Sequence, residues 1–173
     1  MNTALIPRYL FRKYSDISPE FLKERGVNFL MLDLDNTLAM YNESEPSPSA
    51  IKWVNNMYEN DISLFFVSNS KREDRVESFS QALNIPFIKE AKKPSPNGLL
   101  IAMGRASYMQ EESAFLGDQI YTDTLAANRA EVISILVRPL SLKNPLLFLR
   151  YLTEIPIRAL CPNKSLRPRR NNP

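Results

Sequence analysis

The sequence contains no histidine and only one cysteine, Cys161. The absence of histidine excludes the commonest general base, the commonest zinc ligand and every Ser-His or Cys-His catalytic pair. A single cysteine excludes a disulfide bond within the chain, as is typical of a cytosolic protein. Any catalysis must therefore use carboxylates, lysine, hydroxyl groups or a hard metal ion.

Long uninterrupted apolar segments are also absent. The best candidate, PLLFLRYLTEIPIRAL, is interrupted by Arg150, Glu154 and Pro156, so it is too short and too charged to span a bilayer, although it could lie on its surface. The N-terminal MNTALIPRYLFRKY lacks the continuous apolar core of a signal peptide. With 173 residues, 44% of them hydrophobic and 24% charged, the chain is expected to be a cytoplasmic protein with one domain.

Acidic residues are scarce towards the C-terminus. From Arg138 onward the chain has eight basic residues and one acid, a net charge of +7 in a chain of net +3, so the preceding residues are net −4. We expect residues 158–173 to form a basic, disordered tail that either only solubilises the protein or contacts anionic lipid or nucleic acid. The final KSLRPRRNNP contains no aromatic residue, which disfavours base stacking on nucleic acid.

Apolar runs alternate with amphipathic segments along the chain. The runs predict strands near residues 29–34, 62–67, 87–88, 114–116 and 132–137. The intervening segments predict helices near residues 49–59, 72–83, 96–108 and 121–129, with flanking helices near 18–25 and 145–153. This alternation predicts an α/β fold, a doubly wound parallel sheet of about five strands.

No linker or internal repeat divides the chain. We expect residues 28–157 to form the α/β domain. Residues 1–27 would be an N-terminal segment that packs on this core or contacts a membrane, and residues 158–173 would be the tail.

Polar residues follow the ends of successive predicted strands. They are Asp33, Asp35 and Thr37 after the first strand, Ser68, Asn69 and Ser70 after the second, Lys92 and Lys93 near the third, and Asp118 and Asp123 after the fourth. Taken alone, an Asp-x-Asp pair is most often a surface turn, and an aspartate before a helix can simply cap it. Ligands of such folds bind beyond the carboxyl ends of the strands, so the combination predicts one functional site at that edge.

The residue types in this set indicate its chemistry. Asp33 and Asp35 lie two positions apart and face the same side of an extended chain. Together with Asp118 they form an acidic cluster that would repel itself unless it held a cation, and oxygen donors favour Mg²⁺. Lys93 and the Ser68 hydroxyl would bind an anion. Metal, lysine and hydroxyl donors together predict a phosphoryl-binding site, in which a carboxylate can act as the nucleophile.

Four segments, LDLDNTL, VSNS, AKKP and GDQIYTD, in that order, resemble the four motifs of the haloacid dehalogenase (HAD) phosphatase superfamily. The resemblance covers about residues 28–139 and implies a Rossmann-like HAD core. A narrower resemblance is to the YqeG-type branch of subfamily IIIA, which is related to mitochondrial phosphatidylglycerophosphate phosphatases. It is carried by IPRYLFRKYSDI, VSNS with Arg75-Val76, IPFIKEAKKP, GDQIYTDTLAANRA and ILVRPL. The segment LAAN departs from the glycine pair that this branch often has before asparagine.

The resemblance implies a role for each acidic residue. Asp33 would be the nucleophile, and Asp35 would be the general acid and base. Asp33, Asp118 and the backbone carbonyl of Asp35 would bind the metal directly. Asp123 would contribute through a water molecule or by supporting the direct ligands.

The resemblance also implies the phosphate-binding residues. Ser68 and Lys93 would be catalytic and would bind the phosphate, and Thr37 and Asn69 are expected to add substrate contacts. Lys92 is a rival for the role of Lys93, but the Lys-Pro pairing of the motif favours Lys93.

Together these features predict a Mg²⁺-dependent phosphatase that hydrolyses a phosphate monoester through an aspartyl-phosphate. The gaps between Asp35, Ser68 and Lys93 each hold about one helix and one strand, which leaves no room for a cap domain and suits a large substrate. The preferred substrate is phosphatidylglycerophosphate, and the alternative is a soluble small-molecule or protein phosphate.

A non-catalytic partner of RNA- or ribosome-associated factors is the second class of function, but the presence of both Asp33 and Asp35 favours catalysis. Both ends of the chain combine basic and apolar residues, which predicts peripheral contact with the inner face of an anionic membrane. The alternative is that the apolar residues of the two ends simply pack on the domain. The oligomeric state is open.

Overall fold

The uninterrupted apolar runs of the sequence form the centre of a parallel β-sheet. The protein is described by a computed structural model that covers residues 3–70 and 72–165. The strands within these residues are β1 (Tyr9–Phe11), β2 (Phe29–Leu32), β3 (Ser63–Val67), β4 (Phe87–Ile88), β5 (Ser113–Gly117), β6 (Ile133–Leu136) and β7 (Asn163–Ser165). Their order across the sheet is β4-β3-β2-β5-β6-β1-β7, and each neighbouring pair is parallel. The predicted α/β fold with a parallel sheet is confirmed.

Helices occupy the segments between the strands, as predicted. They are α1 (Pro19–Lys23), α2 (Pro48–Glu59), α3 (Glu73–Leu83), α4 (Asn97–Ala106), α5 (Leu125–Arg129), which follows a π-helical turn at Ile120–Thr124, and α6 (Pro145–Ala159). The longest ones begin at side-chain caps: Ser47 Oγ accepts a hydrogen bond from Ala50 N at 3.2 Å, and Asn144 Oδ1 accepts one from Leu146 N at 2.9 Å. In the part of the chain described, no helix combines the length and the apolar character that crossing a membrane requires.

Helices cover both faces of the sheet, which explains why β2 is apolar at every position. Successive side chains of a strand point to opposite faces. Leu30 belongs to a buried cluster with Val54 of α2 and Phe79 of α3. Met31 belongs to a second cluster, on the other face, with Leu99 of α4. Both strand residues are fully buried.

The register of the central strands determines where the site lies. Leu32 of β2 is opposite Phe66 of β3 on one side and opposite Leu116 of β5 on the other. Because the three strands are parallel and in register, their carboxyl ends lie at the same edge of the sheet. The polar segments that follow them therefore leave the sheet side by side.

The sheet has seven strands in the described residues, so the prediction of about five was wrong. The two additional strands are short and extend one edge: Tyr9 of β1 is opposite Ile135 of β6 and opposite Asn163 of β7. The sequence of β7 is Asn-Lys-Ser and has no apolar periodicity, so only its pairing with β1 makes it a strand. Leu10 and Phe11 are buried, and these apolar residues of the N-terminal segment thus pack on the core.

The C-terminal part also differs from the expected boundary at residue 158. Helix α6 extends beyond residue 153, through Pro156, to Ala159. Arg158 and Cys161 are buried, and β7 follows them, so residues 158–165 belong to the folded domain rather than to a disordered tail. The remaining residues of the predicted tail, 166–173, lie outside the described residues.

Candidate active site

Asp33 is the first residue after β2, and its backbone still pairs with the neighbouring strand, because its N–H donates to Leu116 O at 2.9 Å. The chain then turns sharply at Asn36, which has φ 61° and donates its N–H to Ala39 O at 2.8 Å. Asparagine tolerates this left-handed conformation better than most residues. The turn keeps both Asp33 and Asp35 at the sheet edge, where each is 6% exposed.

A buried lysine connects carboxylates from two different strand ends. Lys93 Nζ lies 2.7 Å from Asp33 Oδ1 and 2.9 Å from Asp123 Oδ1. Its loop is held by Asn69, whose Nδ2 donates to Lys93 O at 2.8 Å and whose Oδ1 accepts from Lys93 N at 2.9 Å. The rival candidate, Lys92, has an exposed side chain. Lys93 is therefore the lysine that the fold brings to the carboxylates.

The loop after β5 is built around Asp123. The Oδ2 atom of Asp123 accepts hydrogen bonds from Asp118 N at 3.1 Å and from Gln119 N at 3.0 Å. Gly117 makes room for this arrangement, because a Cβ at this position would lie 2.4 Å from the Cβ of Asp123. The glycine of GDQIYTD is thus required for the carboxylate to fold back onto the loop.

Three carboxylates converge in the site. One oxygen from each of Asp33, Asp118 and Asp123 lies within 4.8 Å of the others. Thr37 Oγ1 donates a hydrogen bond to Asp118 Oδ1 at 3.2 Å and so fixes the orientation of that side chain. Carboxylate oxygens are the donors that a hard divalent cation such as Mg²⁺ prefers. The cluster is therefore a candidate metal centre.

Burial and mutual repulsion perturb the acid–base properties of this cluster. Burial raises the pKa of Asp33 to about 7 despite the opposing charge of Lys93, and the charge of Asp123 adds to the rise. Burial, followed by the charges of Asp123 and Asp33, raises the pKa of Asp118 well above its ordinary value. Burial would lower the pKa of Lys93, but the charges of Asp123 and Asp33 outweigh it and raise that pKa. A bound cation would relieve the repulsion among these carboxylates.

Asp35 has a different environment from the other carboxylates. Its Oδ1 accepts a charge-assisted hydrogen bond from Nη1 of Arg75, which is buried. Arg75 also donates from Nη2 to Met40 O at 2.7 Å and from Nε to Glu43 O at 2.9 Å. The guanidinium therefore ties Asp35 to the loop that follows it. Three of the four predicted metal-binding residues meet through their side chains, whereas the contact predicted for Asp35 involves its backbone carbonyl.

The predicted substrate-binding residues divide into two groups. Ser68 is buried, and its Oγ accepts a hydrogen bond from Ser70 N at 3.0 Å, which leaves the hydroxyl hydrogen able to donate to another group. The hydroxyl of Thr37 donates to Asp118, and the amide of Asn69 is engaged by the backbone of Lys93. Thr37 and Asn69 thus contact protein groups that shape the site.

A buried ion pair that was not predicted from the sequence lies behind the site. Arg158 Nη2 lies 2.8 Å from Glu154 Oε2, one helical turn away on α6, and also donates to Asp118 O. Glu154 Oε1 accepts a hydrogen bond from Ile120 N at 2.8 Å, and burial raises the pKa of this carboxyl against the effect of Arg158. The available signal was a Glu–Arg pair at i,i+4 in an otherwise apolar helix. The pair connects α6 to the loop that carries Asp118.

Several solved structures share this fold, including one from Xanthomonas campestris and one from Haemophilus influenzae. The protein XCC2798 from Xanthomonas campestris has a TM-score of 0.56 over 88% of this chain and 84% of that chain, at 13% sequence identity. The cobalt-bound deoxy-D-mannose-octulosonate 8-phosphate phosphatase from Haemophilus influenzae has a TM-score of 0.52 over 65% of this chain and 69% of that chain, at 15% identity. At such identities the likeness concerns the fold alone.

Sequence comparison identifies the family. The model of the family described as mitochondrial PGP phosphatase matches residues 2–140, a range that includes all four motifs. A relative from Bacillus subtilis (strain 168), named probable phosphatase YqeG, is 38% identical over 141 residues, which cover 82% of this chain and 81% of the relative. The chain therefore belongs to the mitochondrial PGP phosphatase family, a YqeG-type branch of the HAD superfamily, and it is a phosphomonoesterase.

Proposed function

We propose that this phosphomonoesterase depends on Mg²⁺, forms an aspartyl-phosphate on Asp33 and acts on phosphatidylglycerophosphate. The observation that carries the proposal is the position of Lys93, which lies between Asp33 and Asp123 with Asp118 beside them. A buried cation and a carboxylate cluster at the carboxyl edge of a parallel sheet are suited to bind a phosphate group and to hold a carboxylate against it.

The donor set of the cluster fits Mg²⁺. Asp33, Asp118 and the backbone carbonyl of Asp35 would hold the ion. Both carboxylate oxygens of Asp123 already have partners, which supports a role for this residue behind the ion, through water. When bound, Mg²⁺ supplies positive charge that reduces the repulsion between the substrate phosphate and the carboxylate of Asp33.

Lys93 and Ser68 bind the transferred phosphate. The raised pKa of Lys93 keeps its ammonium group protonated at neutral pH, and its contact with Asp33 places this charge beside the nucleophile. Ser68 donates its hydroxyl hydrogen to a phosphate oxygen while its Oγ accepts from the backbone of the same loop. Thr37 supports the site by orienting Asp118.

The reaction proceeds in two displacements at phosphorus. Asp33 attacks in line, the bond from phosphorus to the ester oxygen breaks, and Asp35 gives its proton to the leaving alkoxide. Asp35 then takes a proton from water, whose oxygen attacks the phosphorus of the aspartyl-phosphate. The bond between phosphorus and Asp33 breaks, which releases inorganic phosphate and restores both side chains. Arg75 positions Asp35 at the edge of the site between these transfers.

Two observations support a substrate presented by a lipid. The family that matches this chain is described by its action on PGP. The chain between β2 and β3 consists of a loop and α2, and the described residues between β3 and β4 contain α3. These short connections support the expected absence of a cap domain. A HAD core without a cap leaves the site open to a large substrate.

The test is a turnover panel with Mg²⁺ or with excess chelator. The substrates are phosphatidylglycerophosphate in vesicles, the same lipid in detergent micelles, p-nitrophenyl phosphate and small soluble phosphate esters. We expect kcat/KM for the lipid in micelles to exceed that for soluble esters by about tenfold or more, and chelation to abolish turnover of all of them.

The other outcomes separate the alternatives. Faster turnover of a soluble ester or a phosphoprotein would contradict the lipid as substrate. No turnover of any ester with Mg²⁺ would favour the non-catalytic, RNA- or ribosome-associated alternative. Full turnover in excess chelator would contradict the metal. The cytoplasmic location expected from the sequence stays a prediction.

A further inference from the structure

Helix α6 buries two of its three charged side chains and leaves most of its large apolar side chains exposed, the reverse of an ordinary surface helix. The buried side of the helix carries Glu154 and Arg158. The outward apolar face of α6 consists of Leu146 (77% exposed), Phe148 (46%), Leu149 (61%), Leu152 (43%) and Ile155 (46%), together with Leu160 (60%), the residue that directly follows the helix. In the fold of the described residues the exposed parts of these side chains remain in contact with water.

The outward face is continuous along the helix. Leu146, Leu149, Leu152 and Ile155 follow one another at intervals of three residues, and Phe148 lies one turn before Leu152. Neighbouring members of the set are therefore adjacent on the helix surface, and together they cover about half of its circumference. A contiguous exposed apolar patch of this kind marks an interaction surface more often than single exposed side chains do.

The stretch of chain that carries this face is positively charged at its surface. Between residues 138 and 165 the acidic residue is Glu154, which is buried and paired with Arg158. The exposed basic residues of the same stretch are Arg138, Lys143, Arg150 and Lys164. Two of them, Arg138 and Lys164, line a recess with Tyr151 and Ile155 along α6. The exposed charge of this stretch is therefore entirely basic.

The same helix borders the candidate active site. Arg158 donates to Asp118 O, and Arg150 donates to Oε1 of Gln119, the next residue. A recess that includes Asp118 also includes Leu147 and Arg150 of α6. A surface held by the outward face of α6 would thus lie beside the loop that carries Asp118.

We propose that the outward apolar face of α6 docks the protein onto an anionic lipid bilayer. Apolar side chains enter the interface between headgroups and acyl chains, and the basic side chains beside them contact anionic headgroups. A second copy of the same face is a poor occupant, because its basic residues would meet like charges across the interface. This proposal rests on the proposed function, because docking on a bilayer would bring the site to the phosphate of a lipid substrate.

The experiment measures co-sedimentation of the full chain with vesicles of phosphatidylcholine alone and of phosphatidylcholine mixed with phosphatidylglycerol, at low and high salt. The test variant is Leu146→Gln/Leu149→Gln/Leu152→Gln, which keeps residues with good helix propensity at exposed positions. The matched control is Leu100→Gln/Ile101→Gln on α4, where the side chains are 43% and 49% exposed. The wild type should bind the anionic vesicles, salt should weaken binding, and the test variant should bind about tenfold less or weaker still.

Two further variants separate the face from its neighbours. Lys143→Gln should reduce binding to anionic vesicles, whereas Lys52→Gln on α2 should not. A chain that ends at Ser165 removes residues 166–173 but keeps β7, and it should still bind. If that deletion abolishes binding while the α6 variant binds like wild type, the tail and not the face is the docking element, and the proposal fails.

Turnover of p-nitrophenyl phosphate distinguishes failure of docking from failure of the proposed function. All docking variants should hydrolyse this soluble ester like wild type. If the wild type hydrolyses phosphatidylglycerophosphate in micelles but does not bind vesicles, only the docking proposal is overturned. If it binds vesicles but does not hydrolyse this lipid, only the proposed lipid substrate is overturned. Self-association is the remaining outcome. If the wild type sediments as a dimer and does not bind vesicles, and the α6 variant is monomeric, the face binds a second copy of the chain and the proposal is overturned.

Discussion

Lys93 Nζ contacts two carboxylates at once, lying 2.7 Å from Asp33 Oδ1 and 2.9 Å from Asp123 Oδ1. One buried cation is therefore shared by the proposed nucleophile and the residue that organises the loop after β5. The same buried contacts of Lys93 therefore serve both the stability of the fold and catalysis, because all three side chains are buried.

Replacing this lysine should affect both stability and turnover. We expect Lys93→Met to lower the free energy of unfolding by about 3–5 kcal/mol, because it leaves carboxylates buried without their partner, and to abolish turnover. Urea denaturation and p-nitrophenyl phosphate hydrolysis provide the measurements. The control is Lys92→Met, at an exposed neighbour, for which both quantities should stay near wild type. Equal losses in the two variants would contradict a special role for Lys93.

Replacing the proposed nucleophile should abolish turnover without unfolding the protein. Asp33→Asn preserves size but removes the attacking charge, so kcat should fall on the order of a thousandfold or more. Mass spectrometry of the variant excludes deamidation back to aspartate. Asp61→Asn, at an exposed aspartate of a turn, is the matched control and should keep wild-type turnover. Near-normal turnover by pure Asp33→Asn would falsify the covalent mechanism.

The contact between Arg75 and Asp35 predicts a dependence on the leaving group. Asp35→Asn should reduce turnover of an alkyl phosphate by about 10²–10⁴-fold and that of p-nitrophenyl phosphate much less, because an acidic phenol leaves without a proton donor. Arg75→Met should show a weaker form of the same pattern if it acts by positioning Asp35. The double variant should then be no slower than Asp35→Asn alone.

A comparison with Arg72→Met tests whether the Arg75 effect is specific. Arg72 also donates to the loop after β2, through Tyr41 O at 2.9 Å, whereas Asp35 accepts its charge-assisted hydrogen bond from Arg75. Its replacement should slow both substrates equally or not at all. A leaving-group dependence as strong as that of Arg75→Met would argue against positioning by Arg75.

The raised pKa values predict that Mg²⁺ stabilises the protein more at higher pH. The folded state holds the Asp33 proton more tightly than the unfolded state, so without metal this carboxyl contributes most below its ordinary pKa of 3.8, and the contribution is lost as the pH rises through about 7. Above that pH no bound proton reduces the repulsion among the carboxylates, and a bound Mg²⁺ would reduce it instead.

Thermal unfolding with Mg²⁺ and with chelator, at acidic and at alkaline pH, measures this effect. The increase in Tm caused by Mg²⁺ should be larger at the alkaline pH, and Asp118→Asn should diminish both the increase and its pH dependence. Glu111→Gln, a change outside the carboxylate cluster, serves as the control and should leave them unchanged. An increase that is independent of pH would mean that these carboxylates do not hold the ion.

The candidate site was largely predictable because a parallel sheet aligns the ends of its strands. Strands of buried apolar residues are recognisable in sequence, and the polar residues that follow them must leave at one edge. Asp33, Lys93 and Asp118 were therefore predictable as neighbours although they are far apart in the chain. The choice of Lys93 over Lys92 came from the motif, and the structure adds the burial that distinguishes their side chains.

Partners that approach the site from its sides could not be predicted in this way. Arg75 lies on a helix whose pattern indicates one buried apolar face, and nothing local indicates that its guanidinium crosses to Asp35. Strand β7 has no apolar pattern and exists because β1 offers it backbone partners.

The orientation of α6 could not be predicted from its sequence alone. Its sequence alone determined that the segment is helical, apolar and surrounded by basic residues. Which side faces the domain was decided by the tertiary structure, because Glu154 and Arg158 find buried partners in Ile120 N and Asp118 O. Satisfying two buried charges requires a specific set of donors and acceptors, whereas an exposed leucine requires none. The helix therefore turned its charged side inwards and left its leucines at the surface.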